Sequence, residues 1–414
     1  MTDISKHFDV IVIGAGAAGI GAARTLFDVG VSVAVLEARN RIGGRAWTTN
    51  AGTQWPLDMG AGWLHSADRN PLVAVAENLG FEIDRNTPPW QKPVHQAGFS
   101  EQDHRSFRAA QDEFYERLEA AAKEPEDRAA VDLLETDNPW NALIDAVSTY
   151  VNGTELERLS VKDFDNYHAT EVNWRVERGY GALFEKIAEG LPIRLDCPVR
   201  RIDHSAAPIR IETDQGVFTA SCVIVTVPTN IIASEALKFS PALPYKHLAA
   251  AHLPLGYDNK LFLELDGADE FEPDSRIFGH HNRVATASYH VRPFGRPLIE
   301  AYFGGHLARD LEGRGLEGFA HFAIDQLAAA LGEGIRPRLK PIAVSYWASD
   351  PFAGGSYSHA LPGHWEKRAM LAKPVGMHLF FAGEACSLHD FSTVHGAWLT
   401  GLQAAADAMA TLRR

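Results

Sequence analysis

Residues 10–45, VIVIGAGAAGIGAARTLFDVGVSVAVLEARNRIGGR, constrain the fold more than any other part of the chain. The β-branched run from Asp9 to Ile13 has the make-up of a buried parallel strand. Gly14, Gly16 and Gly19 follow at G-x-G-x-x-G spacing. The first glycine permits a tight turn, the second lets a pyrophosphate approach the backbone, and the third lets a helix lie close to the strand. The helix continues to Gly30, its expected C-terminal stop, and its N-terminal N–H groups would face the phosphates. A second strand, Ser32 to Leu36, ends at Glu37, 18 residues beyond Gly19, where a carboxylate can accept hydrogen bonds from a ribose diol. Strand, glycines, helix, strand and acid in that order predict a dinucleotide site, and leave NAD and FAD both open.

At 414 residues the chain has room for two domains. Its net charge of −14 argues against a nucleic-acid partner, which would call for clustered Lys and Arg; it suits solubility and can steer a cationic substrate. No apolar run reaches the roughly 20 residues that cross a bilayer, so no membrane partner is expected. The first strand begins too early to follow a signal peptide, and the expected location is cytoplasmic. Cys197, Cys222 and Cys386 are far apart, fit a reducing compartment and form no metal-ligand pattern; no metal site is expected.

Further along, a short helix reads from Pro71 to Leu79, and residues 101–150 read as several helices. A helix opens at Glu177 and ends near Gly190. Strands read at 193–195, 199–203, 209–212, 222–227, 260–265, 298–303, 342–347 and 378–381, with helices at about 318–331 and 396–412. Nucleotide-binding pieces therefore fall at the start, middle and end. The expected architecture is α/β: a Rossmann-like FAD-binding domain of the glutathione-reductase type with an inserted α+β substrate domain. The expected segments are 1–80, 179–238 and 346–414 for the first, and 81–178 (helical) and 239–345 (sheet) for the second.

After Glu37, the run ARNRIGGR places Arg39, Arg41 and Arg45 around Gly43 and Gly44. Here the chain resembles the flavin-containing amine oxidases, the family of monoamine and polyamine oxidases, and the resemblance selects FAD. It implies that Glu37, Arg39, Gly44 and Arg45 lie at the cofactor, together with Gly60, Ala61, Gly62 and Trp63 of the run MGAGWLH. Four later stretches resemble family motifs: CPVRRI, whose Val199 would touch adenine through its backbone; WASDPFAGGSYS, whose Trp347 would lie along the isoalloxazine ring; FAGEA, whose Glu384 would bond the ribityl chain; and TVHGAWLTG, where Thr393 and Val394 open the last helix towards the flavin. Some relatives carry a flavin-linked cysteine in this second stretch; Ser356 stands there, so FAD is expected to be held non-covalently.

The resemblance also implies the catalytic set. Tyr357 and Trp398 would wall the substrate amine. Lys260 would reach flavin N5 through a water and serve reoxidation by O₂. His65 would stand near the substrate channel. Asp390 and His389 are candidates for meeting a distal ammonium. The implied activity is hydride transfer from a neutral amine to flavin N5, with O₂ reduced to H₂O₂ and the imine hydrolysed to an aldehyde. Trp63, His65 and the following Asn70, Pro71 and Leu72 tilt the resemblance to polyamine oxidases. Alternatives are an L-amino-acid oxidase or desaturase of the same fold, in which Arg175 or Arg292 would clamp a carboxylate, and a flavin-loaded interaction protein. Oligomeric state is not legible.

Overall fold

The hydrophobic run after Asp9 forms the strand Lys6–Ile13 near the middle of an eight-stranded sheet in the computed structural model, which describes residues 6–92 and 99–413. Val33–Leu36 lies parallel on one side of it, with Val10 opposite Val33, and the long strand Gly216–Val225 lies parallel on the other, with Val10 opposite Cys222. Ile193–Arg194 extends the sheet beyond Val33–Leu36. Ile209–Thr213, Val199–Asp203 and Lys238–Ser240 continue it past Gly216–Val225, and Leu379–Phe381 pairs parallel with the end of that strand. One sheet is thus assembled from distant parts of the chain.

Two helices cover one face. Ala17–Asp28 starts directly after the glycine turn and packs on the last helix, Val394–Leu412. They approach closely because Gly401 faces the Ala18 carbonyl: a Cβ on Gly401 would sit 2.1 Å from that oxygen. The other face packs on Pro244–Ala251 and Lys367–Ala372, through residues such as Ala249, Ala250 and Leu371.

A second, antiparallel sheet runs Ser275–Phe278, Ser288–Val291, Leu298–Gly304, Asp258–Leu265, Leu339–Val344. Its strands alternate regularly except at the edge strand Leu339–Val344. Leu261, Leu263, Tyr289, Ile299, Ala301 and Phe303 face a core closed by the helix Gly315–Leu331. The alternate positions Asp258, Lys260, Arg276, Ser288, His290, Glu300 and Tyr302 therefore share the opposite face. A helical layer, Glu101–Ala122 and Asn141–Val151, packs around Phe99, Phe107, Phe114 and Trp140, with Phe278 of the sheet joining it. Glu101–Ala122 opens on a capping box between Ser100 and Asp103.

The strand expected at 342–347 runs from Leu339 to Val344. Pro341 explains the shift. It sits on the edge strand opposite Leu263, where the pairing register slips, and an edge position tolerates its missing N–H. No described helix is long and apolar enough to cross a membrane.

Candidate active site

Between the two sheets lies a cavity of about 1060 Å³. Its floor is the glycine turn. Gly14 has φ +101°, a conformation that favours glycine. A Cβ on Gly19 would fall 1.9 Å from the Gly14 carbonyl oxygen, so this glycine is needed for helix and strand to meet; it does not line the cavity. Gly16 lines the cavity, and a Cβ there would meet no protein atom within 4 Å. The fold itself therefore places no demand on Gly16, and the open space above it fits a phosphate brought against backbone at a helix N-terminus.

Glu37 is buried at the end of its strand. One oxygen accepts from the N–H of Ala15 at 2.7 Å and the other from the N–H of Arg39 at 2.9 Å. Arg39 reaches Asp350 at 2.7 Å, and Arg45 donates to Glu384 at 2.9 Å and to the Ser356 carbonyl at 2.5 Å. Glu384 also takes the Ser358 hydroxyl at 2.6 Å and the N–H of Ser392 at 3.0 Å. Burial pushes its pKa up, but Arg45, the Ser358 hydroxyl and Arg368 hold it below the ordinary value. Gly44, Gly60, Ala61, Gly62, Trp63, Val199, Trp347, Thr393 and Val394 line the same cavity. Gly60 leaves no room for a Cβ, which would fall 2.0 Å from the Arg45 carbonyl; the Trp347 indole donates to the Met59 carbonyl at 3.1 Å. The donor-rich glycine floor, the acid at the strand end and the Arg45–Glu384 pair together suit a dinucleotide lying along the groove. The three cysteines are unpaired and none lines the cavity; the Ser356 hydroxyl donates to the Gly256 carbonyl at 3.0 Å.

The polar face of the five-stranded sheet roofs the other end. Lys260 Nζ sits 2.7 Å from Glu300, and a Cβ on Gly62 would come within 3.2 Å of that ammonium. Burial opposes the lysine's charge, but Glu300, Tyr302 and Asp58 hold its pKa above the ordinary value. The pair continues into a buried chain: His290 is 3.8 Å from Glu300 and 2.9 Å from Asp274, and Arg175 joins Asp274 at 2.7 Å to Asp84 at 2.6 Å. Tyr357 lines the cavity with its hydroxyl donating to the Tyr150 carbonyl at 2.6 Å. His65 lines it too, its Nδ1 2.8 Å from Asn173; burial pulls its pKa down to about 4, so the imidazole is neutral.

Several expectations are corrected. Trp398 does not line the cavity. Its indole is buried against the first helix, where a Cβ on Gly21 would come within 3.0 Å of it, and beside Phe184 at 6.2 Å. Helical periodicity explains this: Thr393, Val394 and Ala397 look into the cavity, so Trp398 and Gly401 look towards Ala17–Asp28. Phe391 and Tyr167, with rings 5.4 Å apart, line the cavity instead. Asp390 is paired with Arg69 at 2.5 Å and with His395 at 3.2 Å, and His389 stacks on His168; neither lines the cavity. Arg175 is held by its two aspartates, and Arg292 by Asp269 and the Phe271 carbonyl, so neither is free to clamp a carboxylate there.

Other cavity residues went unnoticed in the sequence: Asp258, Arg276, Tyr302 and His359. A signal existed for two of them. Tyr302 lies opposite Lys260 and Asp258 two residues before it, at or beside strands read from sequence, where ionisable side chains interrupt apolar runs.

The family model for flavin-containing amine oxidoreductases matches residues 17–172 and 94–409. The chain belongs to this family. It is a flavin-dependent amine oxidase with FAD as its cofactor, and its mixed α/β architecture is the FAD-binding one expected. Polyamine oxidase 2 of Arabidopsis thaliana is 32% identical, over 96% of this chain and 87% of that one. Polyamine oxidase 4 of Oryza sativa is 29% identical over the same shares. The amine oxidase also shares its fold with a solved putrescine oxidase variant, at TM-score 0.79 and 21% identity, covering 98% of this chain and 99% of that one.

Proposed function

We propose that this amine oxidase acts on a long aliphatic amine of the polyamine type and passes the electrons to O₂. The observation that carries the reading is the Lys260 ammonium, buried and paired with Glu300, in the roof of the cavity whose floor is the glycine cradle. The names of the polyamine oxidase relatives support the substrate class. Segments 1–80, 179–238 and 346–414 would hold the cofactor, and 81–178 and 239–345 would shape the substrate space. Three buried, unpaired thiols suit a reducing setting such as the cytoplasm.

FAD, when bound, supplies a two-electron acceptor for the hydrogen on the carbon beside nitrogen. The protein's part is binding, orientation and exclusion of water. Gly14, Gly16 and the N-terminus of Ala17–Asp28 would cradle the pyrophosphate, Glu37 a ribose, Val199 the adenine, and Arg45, Glu384 and Thr393 the remainder, without a covalent link. Tyr357, fixed through Tyr150, presents an aromatic wall that favours an uncharged amine over a solvated ammonium. Phe391 replaces Trp398 as the second cavity aromatic. His65 stays neutral beside the channel and adds no positive charge. Lys260 keeps its proton and offers a fixed cation to oxygen as negative charge develops on it. In sum, the amine loses two electrons and two protons to become an imine, O₂ becomes H₂O₂, and water splits the imine into aldehyde and amine.

The test is anaerobic mixing of the yellow protein with a panel of amines and amino acids, read as bleaching of the flavin band. Aliphatic amines should bleach it fastest. Lys260→Met should still bleach but recover its colour in air at least tenfold more slowly. Reoxidation at the parent rate would remove Lys260 from the oxygen step; a panel without any bleaching would remove the amine reading.

A further inference from the structure

On the cavity face of the five-stranded sheet, Lys260, Glu300 and His290 are tied into the buried chain of polar contacts. Asp258 and Arg276 are not. The Asp258 carboxyl has an oxygen with no hydrogen-bond partner among the described residues, and burial raises its pKa well above the usual carboxylate range, which lessens the cost of a lone charge by favouring its neutral form. A guanidinium has no such escape at neutral pH. Burial draws the pKa of Arg276 down only to about 10, and the ionisable groups it senses are the phenols of Tyr150 and Tyr302. Its Nε donates to the Ser288 hydroxyl at 3.0 Å, and the guanidinium lies over the Phe278 ring at 4.1 Å. Among the described residues no carboxylate pairs with it, and its two terminal nitrogens, on a side chain that lines the cavity, find no protein acceptor. The fully buried arginines are treated differently: Arg368 is held by Asp163 at 2.6 Å, and Arg175 by two aspartates. Arg276 is part-buried, and its planar fork, lining the cavity without a counter-charge, matches a carboxylate.

We propose that Arg276 anchors a carboxylate at the far end of the amine substrate, so that the preferred substrate is a long aliphatic amine ending in a carboxylate rather than in a second ammonium. The inference rests on the amine-oxidase reading and departs from the polyamine type at the distal end of the substrate, where a carboxylate replaces the second ammonium. Lys260, Tyr302 and Ser288 stand in register on neighbouring strands, and Arg276 lies one strand further and two residues along from Phe278, the next position in that row, so roughly 16 Å separates the backbones of Lys260 and Arg276. That separation suits a chain of several methylenes and not an α-amino acid, whose two groups share one carbon. A diamine of the same length would bring a second ammonium to an unpaired guanidinium, and like charges there repel.

The test compares matched pairs on the FAD-loaded protein: diaminoalkanes against ω-amino acids with the same number of methylenes, by anaerobic flavin bleaching. In parallel, simple alkyl carboxylates are titrated by calorimetry, which needs no turnover. The parent protein should show the lower KM for the ω-amino acid. Arg276→Gln should raise that KM about 10- to 100-fold, invert the preference and weaken alkyl carboxylate binding to the same degree. Arg276→Lys, which keeps the charge and loses the fork, should fall between. Equal preference in parent and Arg276→Gln, or carboxylate binding that survives in Arg276→Gln, would overturn the proposal. If neither series bleaches the flavin, the amine reading fails, and the calorimetry still decides whether Arg276 holds a carboxylate.

Discussion

Two glycines of one motif do different jobs. Gly19 serves the fold, since a Cβ there would overlap the Gly14 carbonyl at 1.9 Å, whereas Gly16 has ordinary backbone angles and nothing within 4 Å of where its Cβ would go. Gly19→Ala should therefore lower the melting temperature of the protein even when stripped of FAD. Gly16→Ala should leave the stripped protein's melting unchanged and weaken FAD binding about tenfold or more, measured by titrating FAD into apoprotein. Equal loss of stability in both stripped variants would contradict this division. The spacing of the glycines was legible in the sequence; which of them faces ligand and which faces protein was not, because that depends on the distance between turn and helix. Trp398 teaches the same lesson in reverse. Its neighbours in the motif line the cavity, but one step along a helix turns a side chain by about 100°, and the indole went to the core.

Among elements, the last helix was the clearest to read. Thr393 caps it, its hydroxyl accepting from the N–H of Gly396 at 3.0 Å. Thr393→Ala should cost about 1 kcal/mol of stability, seen as a lower thermal midpoint, and should also loosen FAD because this helix end lines the cavity. The five-stranded sheet was only half legible. Asp258–Leu265 and Leu298–Gly304 stood out by their apolar runs, but Ser275–Phe278 and Ser288–Val291 did not: their cavity-facing positions carry Arg276, Ser288 and His290, so the alternation looks like a polar loop. The polar face depends on pairing. Burial pushes the Glu300 pKa up, but Lys260 and His290 hold it below its ordinary value. Glu300→Gln would leave the Lys260 ammonium without its close counter-charge, and the expected loss is about 3–5 kcal/mol, measured as a drop in thermal midpoint against Lys260→Met/Glu300→Gln, which should recover part of it. A double variant no more stable than Glu300→Gln would mean that the two do not act as a pair.

Over the whole molecule, the discontinuous assembly of the nucleotide sheet could be inferred from motifs at the start, middle and end of the chain. The cavity chemistry could not, because it is made where the two sheets face each other and residues far apart in sequence meet. His359 belongs to this class. It is buried at the cavity, neither ring nitrogen has a partner among the described residues, and burial beside Arg158 and Arg368 draws its pKa down to about 3. An unfolded histidine takes its proton near pH 6.5. The folded pKa is the lower one, so the contribution of His359 to stability is fully present above about pH 6.5 and is lost as pH falls towards 3, at up to about 1.4 kcal/mol per pH unit. Asp58 opposes it: burial lifts that carboxyl to about 6, so the folded state gains stability as pH falls from above 6 towards 4. The two act in overlapping windows, and the wild-type profile alone does not separate them. His359→Gln removes one side of the balance. The thermal midpoint of the parent minus that of the variant should shrink between about pH 7.5 and pH 5, and a difference that stays constant across that range would mean that His359 titrates normally in the fold.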